Sequence, residues 1–94
     1  MTNKSKLVMV RIHGKVQGVS FRIWTRMEAV KLGLTGWVRN ENDGSVTALI
    51  AGSEQAVSVM LQQFKKGPTG ASVSSVTCDA VDVGEAPDGF NIVA

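Results

Sequence analysis

The residues whose types and spacing most directly suggest chemistry lie between Gly14 and Arg22: Gly14-Lys15-Val16-Gln17-Gly18-Val19-Ser20, then Phe21 and Arg22. The segment holds two glycines, offers no helical start before Ser20, and delivers an arginine into the first turn of the helix that follows. A cation beside the positive end of a helix dipole is unfavourable unless an anion sits between them. Glycines let the backbone curve until successive N–H groups converge, and a guanidinium offers forked donors that match phosphate oxygens. A phosphate-binding loop is one reading of this pattern. The other is a plain glycine turn followed by a solvated arginine. The spacing is not that of a nucleotide-binding P-loop, because no Gly-Lys-Ser/Thr follows the first glycine at the required distance.

Other reactive residue types have simpler explanations. His13 has no sequence-adjacent Ser or Cys to activate and reads as a sheet-surface or loop-supporting residue. Cys78 sits in an apolar alternation, as a small core or sheet-face residue would. Asp43, near Glu41, is explained by turn chemistry, and Trp24 continues the apolar face of a helix. Lys15 either attracts anions to the loop or is solvated. With one cysteine and one histidine, the chain offers no zinc-like ligand set and no intrachain disulfide. The expectation is activity with neither metal nor cofactor.

The surrounding pattern shows what must position the loop. Val8, Val10 and Ile12 alternate with Arg11 and His13, which predicts a half-buried strand over Leu7 to His13. From Phe21 the period changes: Ile23, Met27, Val30 and Leu34 form a stripe that predicts an amphipathic helix, with Ser20 as N-cap and Gly33 at the C-terminal cap. Thr35 to Asn40 and Ser45 to Ala51 predict a hairpin around Asp43-Gly44. Gly52-Ser53 opens a second helix, with Val57, Met60, Leu61 and Phe64 on one face, and Gly67-Pro68 stops it. Ser72 to Val83 predicts a long strand with a bulge near Ala80, where the apolar set slips by one residue. A turn at Pro87-Asp88-Gly89 then leads into an added edge strand over Phe90 to Val93. This order is the split βαββαβ, ferredoxin-like α+β sandwich: an antiparallel sheet, two helices on one face, and here a C-terminal edge strand. The fold hosts sensors, RNA binders and enzymes alike, so function must be read from the site.

Composition narrows the classes further. A chain of 94 residues, 44% hydrophobic and 19% charged, predicts one globular domain over 1–94, with the polar residues 1–6 as a flexible lead-in. The net charge is only +2 and Lys65-Lys66 is the sole adjacent basic pair, while the central strands lack the aromatic motifs that stack bases. No nucleic-acid partner is expected. The apolar run after Lys6 is interrupted by Arg11, so neither a signal peptide nor a membrane span is expected, and a cytoplasmic monomer is the simplest reading.

Gly14-Lys15-Val16-Gln17-Gly18-Val19-Ser20-Phe21-Arg22 resembles the acylphosphatase signature Gly-x-Val-Gln-Gly-Val-x-Phe-Arg. Gly36-Trp37-Val38-Arg39-Asn40, followed by Asp43-Gly44-Ser45-Val46, resembles that family's second signature. Both motifs on one short chain make a specific pairing, and the likeness extends from Leu7 to Ile92 through Lys66-Gly67-Pro68 and Phe90-Asn91-Ile92. The resemblance implies metal-free hydrolysis of a small-molecule acyl phosphate, with phosphate and sulfate as competing anions. It also implies that the amides of Val16, Gln17, Gly18, Val19 and Ser20 and the guanidinium of Arg22 bind the phosphoryl group, while Asn40 positions the attacking water. A non-catalytic phosphate-binding module that keeps the same loop is the competing reading.

Overall fold

The computed structural model describes residues 5–81 and 87–93. In chain order the elements are β1 (Ser5–Lys15), α1 (Phe21–Lys31), β2 (Thr35–Asn40), β3 (Val46–Ser53), α2 (Glu54–Lys66), β4 (Ser72–Ala80) and β5 (Phe90–Ile92). They build the expected ferredoxin-like sandwich, with one five-stranded sheet in the order β4-β1-β3-β2-β5. Neither helix is long and apolar enough to cross a membrane.

Alternation along each strand, combined with the pairing register, stacks the inward side chains into rows beneath the helices. Val8, Ile50, Gly36 and Phe90 form one row; Val10, Ala48, Val38 and Ile92 form the next. The third row is Val76, Ile12, Val46 and Asn40. Ile12 and Val46 are fully buried, so Asn40 is a polar residue ending an aliphatic row at the sheet corner. The outcome for the edge strand is more specific than expected. β5 pairs in parallel with β2, so the sheet is mixed. Because β4 runs opposite to β2, one reversal after β4 brings the chain to the free edge of β2 running the same way.

Four expectations are corrected. β1 begins at Ser5, so Ser5 and Lys6 are strand residues rather than a lead-in, and it continues through Gly14 and Lys15, which pair with Val73 and Ser72. Residues 1–4 lie outside the described residues. Among the described residues no bulge falls near Ala80, where β4 pairs regularly; the register shift is at the other end, between His13 and Gly14. Val83 lies outside the described residues. Cys78 is not a core residue: it is exposed on β4, an edge strand, which leaves the sheet-face reading.

The fourth correction concerns the phase of α1. Its buried residues are Phe21, Thr25 and Ala29, whereas Ile23, Met27 and Val30 are 57%, 54% and 55% exposed. The predicted stripe therefore faces outward, and of its members only Leu34, beyond the helix, is buried. Aromatic packing sets this phase. The Phe21 ring lies 6.3 Å from Phe64 and 5.3 Å from Trp24, and the small Ala29 lets the rest of the helix approach the sheet. α2 matches its pattern, with Val57, Met60 and Phe64 buried and Ser53 Oγ accepting from the Ala56 N–H at 3.1 Å.

Stability should follow the observed phase. Met27→Ala and Val30→Ala should each change the unfolding free energy by no more than about 0.5 kcal/mol. Phe64→Ala should cost about 3–5 kcal/mol. Urea titrations followed by circular dichroism decide it; a loss of about 2 kcal/mol or more in the two α1 variants would restore the stripe to the core.

Candidate active site

The loop between β1 and α1 is set by unusual backbone conformations. Gly14 has φ +124°, and a Cβ there would lie 2.1 Å from the Ser72 carbonyl oxygen, so β4 leaves no space for any side chain. Gly18 has φ 74°, and Ser20, with φ 59°, is the sole non-glycine with positive φ among the described residues. Such a backbone costs about 1–3 kcal/mol and is found where surrounding structure enforces it. Ser20 occupies the N-cap position, but its left-handed conformation takes its side chain out of capping and no capping bond forms.

The N–H groups of Gln17, Gly18, Val19 and Ser20 reach no backbone carbonyl among the described residues. The opening turn of α1 adds more, since the first four N–H groups of a helix lack intrahelical partners except where a cap residue carbonyl accepts. Here Trp24 N–H closes on Ser20 O at 3.0 Å. Arg22 stands in that turn and forms no ion pair with the described residues. Open donors, a helix dipole and a cation thus share one corner, and among the described residues no carboxylate pairs with the cation.

The Gln17 side chain has a structural part that the expectation for its backbone amide did not include. It turns away from the loop interior, and Nε2 donates to the carbonyls of Glu41 at 2.8 Å and Ser45 at 2.9 Å. The loop is thereby pinned to the β2–β3 turn. That turn is itself braced, with Glu41 N–H donating to Ser45 O at 2.8 Å and Asp43 Oδ1 accepting from Ser45 N–H at 2.9 Å and from the Ser45 hydroxyl. These two bonds, the hydroxyl's first, hold the Asp43 carboxyl below its ordinary pKa. Arg39 pairs with Glu41 at 2.8 Å and lies over the Trp37 ring.

Val16, Gln17, Gly18, Ser20, Arg22 and Asn40 line one cavity of about 480 Å³, completed by Phe21, Ile23 and Ile92. Of the residues expected at the site, Val19 alone is absent from this wall: its side chain packs against the core and lines a groove beside α1. Val16 is buried, so what it can offer a ligand is backbone. Asn40 Oδ1 is buried without a hydrogen-bond partner among the described residues; the other two such atoms, on Thr25 and Thr47, lie outside the cavity wall. An unmet buried acceptor costs about 1–3 kcal/mol, a debt that a bound donor removes. His13 and Cys78 are not part of the wall. His13 Nδ1 lies 3.5 Å from Ser75 Oγ; Cys78 is exposed, yet partial desolvation by its neighbours and then the Asp79 charge raise its thiol pKa, the opposite of what a reactive thiolate needs.

The family model for acylphosphatase matches residues 8–92. The chain belongs to the acylphosphatase family. It is 61% identical over 92 residues to an acylphosphatase of Sinorhizobium medicae, covering 98% of each chain. Among solved structures, an acylphosphatase from Coxiella burnetii superimposes with TM-score 0.91 at 34% identity, covering 97% of this chain and 94% of that one. The Bacillus subtilis acylphosphatase gives the same TM-score at 33% identity, covering 97% and 100%. Membership fixes the reaction class as hydrolysis of acyl phosphates.

Neither the role of the Gln17 side chain nor the presence of Ile23 and Ile92 in the wall was legible from the motifs. The Gln17 contacts are 24 and 28 residues apart in sequence, Ile92 arrives through the pairing of β5 with β2, and Ile23 is there because α1 turns its apolar stripe outward. Gln17→Ala should therefore loosen the loop. We expect a lower melting temperature, by about 4–8 °C per kcal/mol lost in a domain of this size, together with a several-fold higher inhibition constant for phosphate. An unchanged melting point and unchanged phosphate inhibition would show that the two bonds hold nothing in place.

Proposed function

We propose that this cavity is where the acyl phosphate is hydrolysed. The phosphoryl group sits against the open N–H groups of the 16–20 loop and the Arg22 guanidinium, and Asn40 holds the attacking water. The observation that carries the reading is the meeting, at one cavity, of loop amides without backbone acceptors, an arginine without a counter-anion and an asparagine with an open acceptor, all among the described residues.

So sparse a site suits the reaction. The water oxygen forms a bond to phosphorus as the bond to the acyl oxygen breaks, and the electron pair leaves on a carboxylate. Because the conjugate acid of that leaving group has a pKa of roughly 4, no general acid need protonate it. Phosphoryl transfer asks chiefly for positioning and for stabilised equatorial oxygens, which the amides and Arg22 supply. The water accepts no help from a protein base in this scheme: it donates one hydrogen bond to Asn40 Oδ1 and loses its proton to a phosphoryl oxygen. The products are a carboxylate and inorganic phosphate. No step requires a metal or a cofactor.

Substitutions separate the two roles. Arg22 touches phosphate oxygens in the ground state and more strongly in the transition state, so Arg22→Ala should raise KM and lower kcat together. Lysine should rescue poorly because one ammonium cannot reproduce a fork. Asn40 touches only the water, so Asn40→Ala should lower kcat by about 100-fold or more while KM and phosphate inhibition stay near wild type. Steady-state kinetics on folded variants are the test. An Asn40→Ala enzyme with wild-type kcat, or one defective mainly in phosphate affinity, would contradict the assignment.

A further inference from the structure

The cavity is larger than one tetrahedral anion fills, at about 480 Å³, and its lining is not uniform. The polar donors lie along the loop and at Asn40. The remaining wall carries Ile23, immediately after Arg22 in the first turn of α1, and Ile92, at the end of β5. Ile92 pairs with Val38 and thus shares the helix-facing side of the sheet with Asn40 two residues further along β2. Both isoleucines are open to solvent, at 57% and 39% exposed, whereas Val8, Val10, Ile12, Val38, Val46 and Ile50 of the central rows are buried; Ile23 shares its exposure with Met27 and Val30 on the outer face of α1. Among the described residues, Arg22 is the sole charged side chain on the wall.

An acyl phosphate held by its phosphoryl group must project its acyl chain away from the loop. We propose that Ile23 and Ile92 form the acyl-binding wall, so that this enzyme prefers acyl phosphates with uncharged, apolar acyl chains over those ending in a second charge. The inference rests on the loop and Arg22 being the phosphoryl site. An apolar chain laid across the two side chains removes their exposed surface and its own from water, worth up to about fourfold in affinity for each methylene buried. A carboxylate-tipped chain meets no second cation among the described residues of the wall, so its charge would lose hydration without a partner.

The n-alkanoyl phosphates test this cleanly. Their leaving carboxylates are nearly equal in basicity, so differences in kcat/KM report binding of the chain rather than reactivity. From acetyl through butyryl to hexanoyl phosphate, kcat/KM should climb by about twofold to fourfold per methylene until the wall is covered. Succinyl phosphate should fall at least tenfold below butyryl phosphate. In Ile23→Ser and, separately, Ile92→Ser, the hexanoyl-to-acetyl ratio should drop at least fivefold, with the inhibition constant of inorganic phosphate reporting on the loop in the same preparations. Two variants at exposed positions guard against loss of either one to misfolding. A wild-type series flat within twofold, or an unchanged ratio in both folded variants, overturns the acyl-wall inference while leaving the phosphoryl site standing. Wild-type enzyme that turns over no member of the series sinks both.

Discussion

Positive potential without a counter-charge among the described residues is the constraint on which the rest of this structure depends. Four loop amides without backbone acceptors, the start of α1 and the Arg22 guanidinium share one corner, and among the described residues no carboxylate neutralises them. Left to itself the arrangement is unfavourable: donors without acceptors, and a cation at the wrong end of a dipole. A tetrahedral anion in the corner would supply the missing acceptor and charge, as the proposed site requires. The family's substrate carries one.

Holding that corner open requires rigidity elsewhere, and the fold supplies it from three directions. β4 presses on Gly14 so closely that only glycine fits, which fixes where the loop leaves the sheet. The Gln17 amide ties the loop to the braced Glu41–Ser45 turn, and the same turn follows directly on Asn40 at the end of β2. The Phe21 ring, wedged against Trp24 and Phe64, anchors the first residue of α1, so Arg22 is presented from a buried footing. Parallel pairing of β5 with β2 then brings Ile92 to the same opening. Arg26 Nε donates to the Phe90 carbonyl at 2.9 Å, joining that short strand to α1.

Much of this was legible in the sequence where local rules and burial agree. Period-two alternation located β1, capping by Ser53 and Gly67 bounded α2, and Asp43-Gly44 marked the hairpin turn. The two motifs identified Val16 to Ser20, Arg22 and Asn40, and all but the Val19 side chain meet at one cavity. The α1 face was misread because counting large apolar residues favours Ile23, Met27 and Val30, whereas the buried line Phe21–Thr25–Ala29 includes a threonine and an alanine. Helix phase was decided by one aromatic cluster, and an aromatic contact with Phe64 in another helix has no local signature. The direction of a three-residue strand, the exposure of Cys78 on an edge and the reach of Gln17 across the fold are tertiary outcomes in the same sense. Ile23, one of the outward residues that broke the helical pattern, lines the cavity, which is where departures from local consistency are expected.

The central claim is that the uncompensated corner is an anion site. Titration of inorganic phosphate into isotopically labelled protein, followed by amide and guanidinium NMR shifts, tests it most directly. The account predicts saturable shifts that are largest at the backbone amides of Gln17 to Ser20 and at Arg22 Nε, with a single dissociation constant equal to the kinetic inhibition constant. Shifts that fail to saturate, or that centre on residues away from this loop, would contradict it.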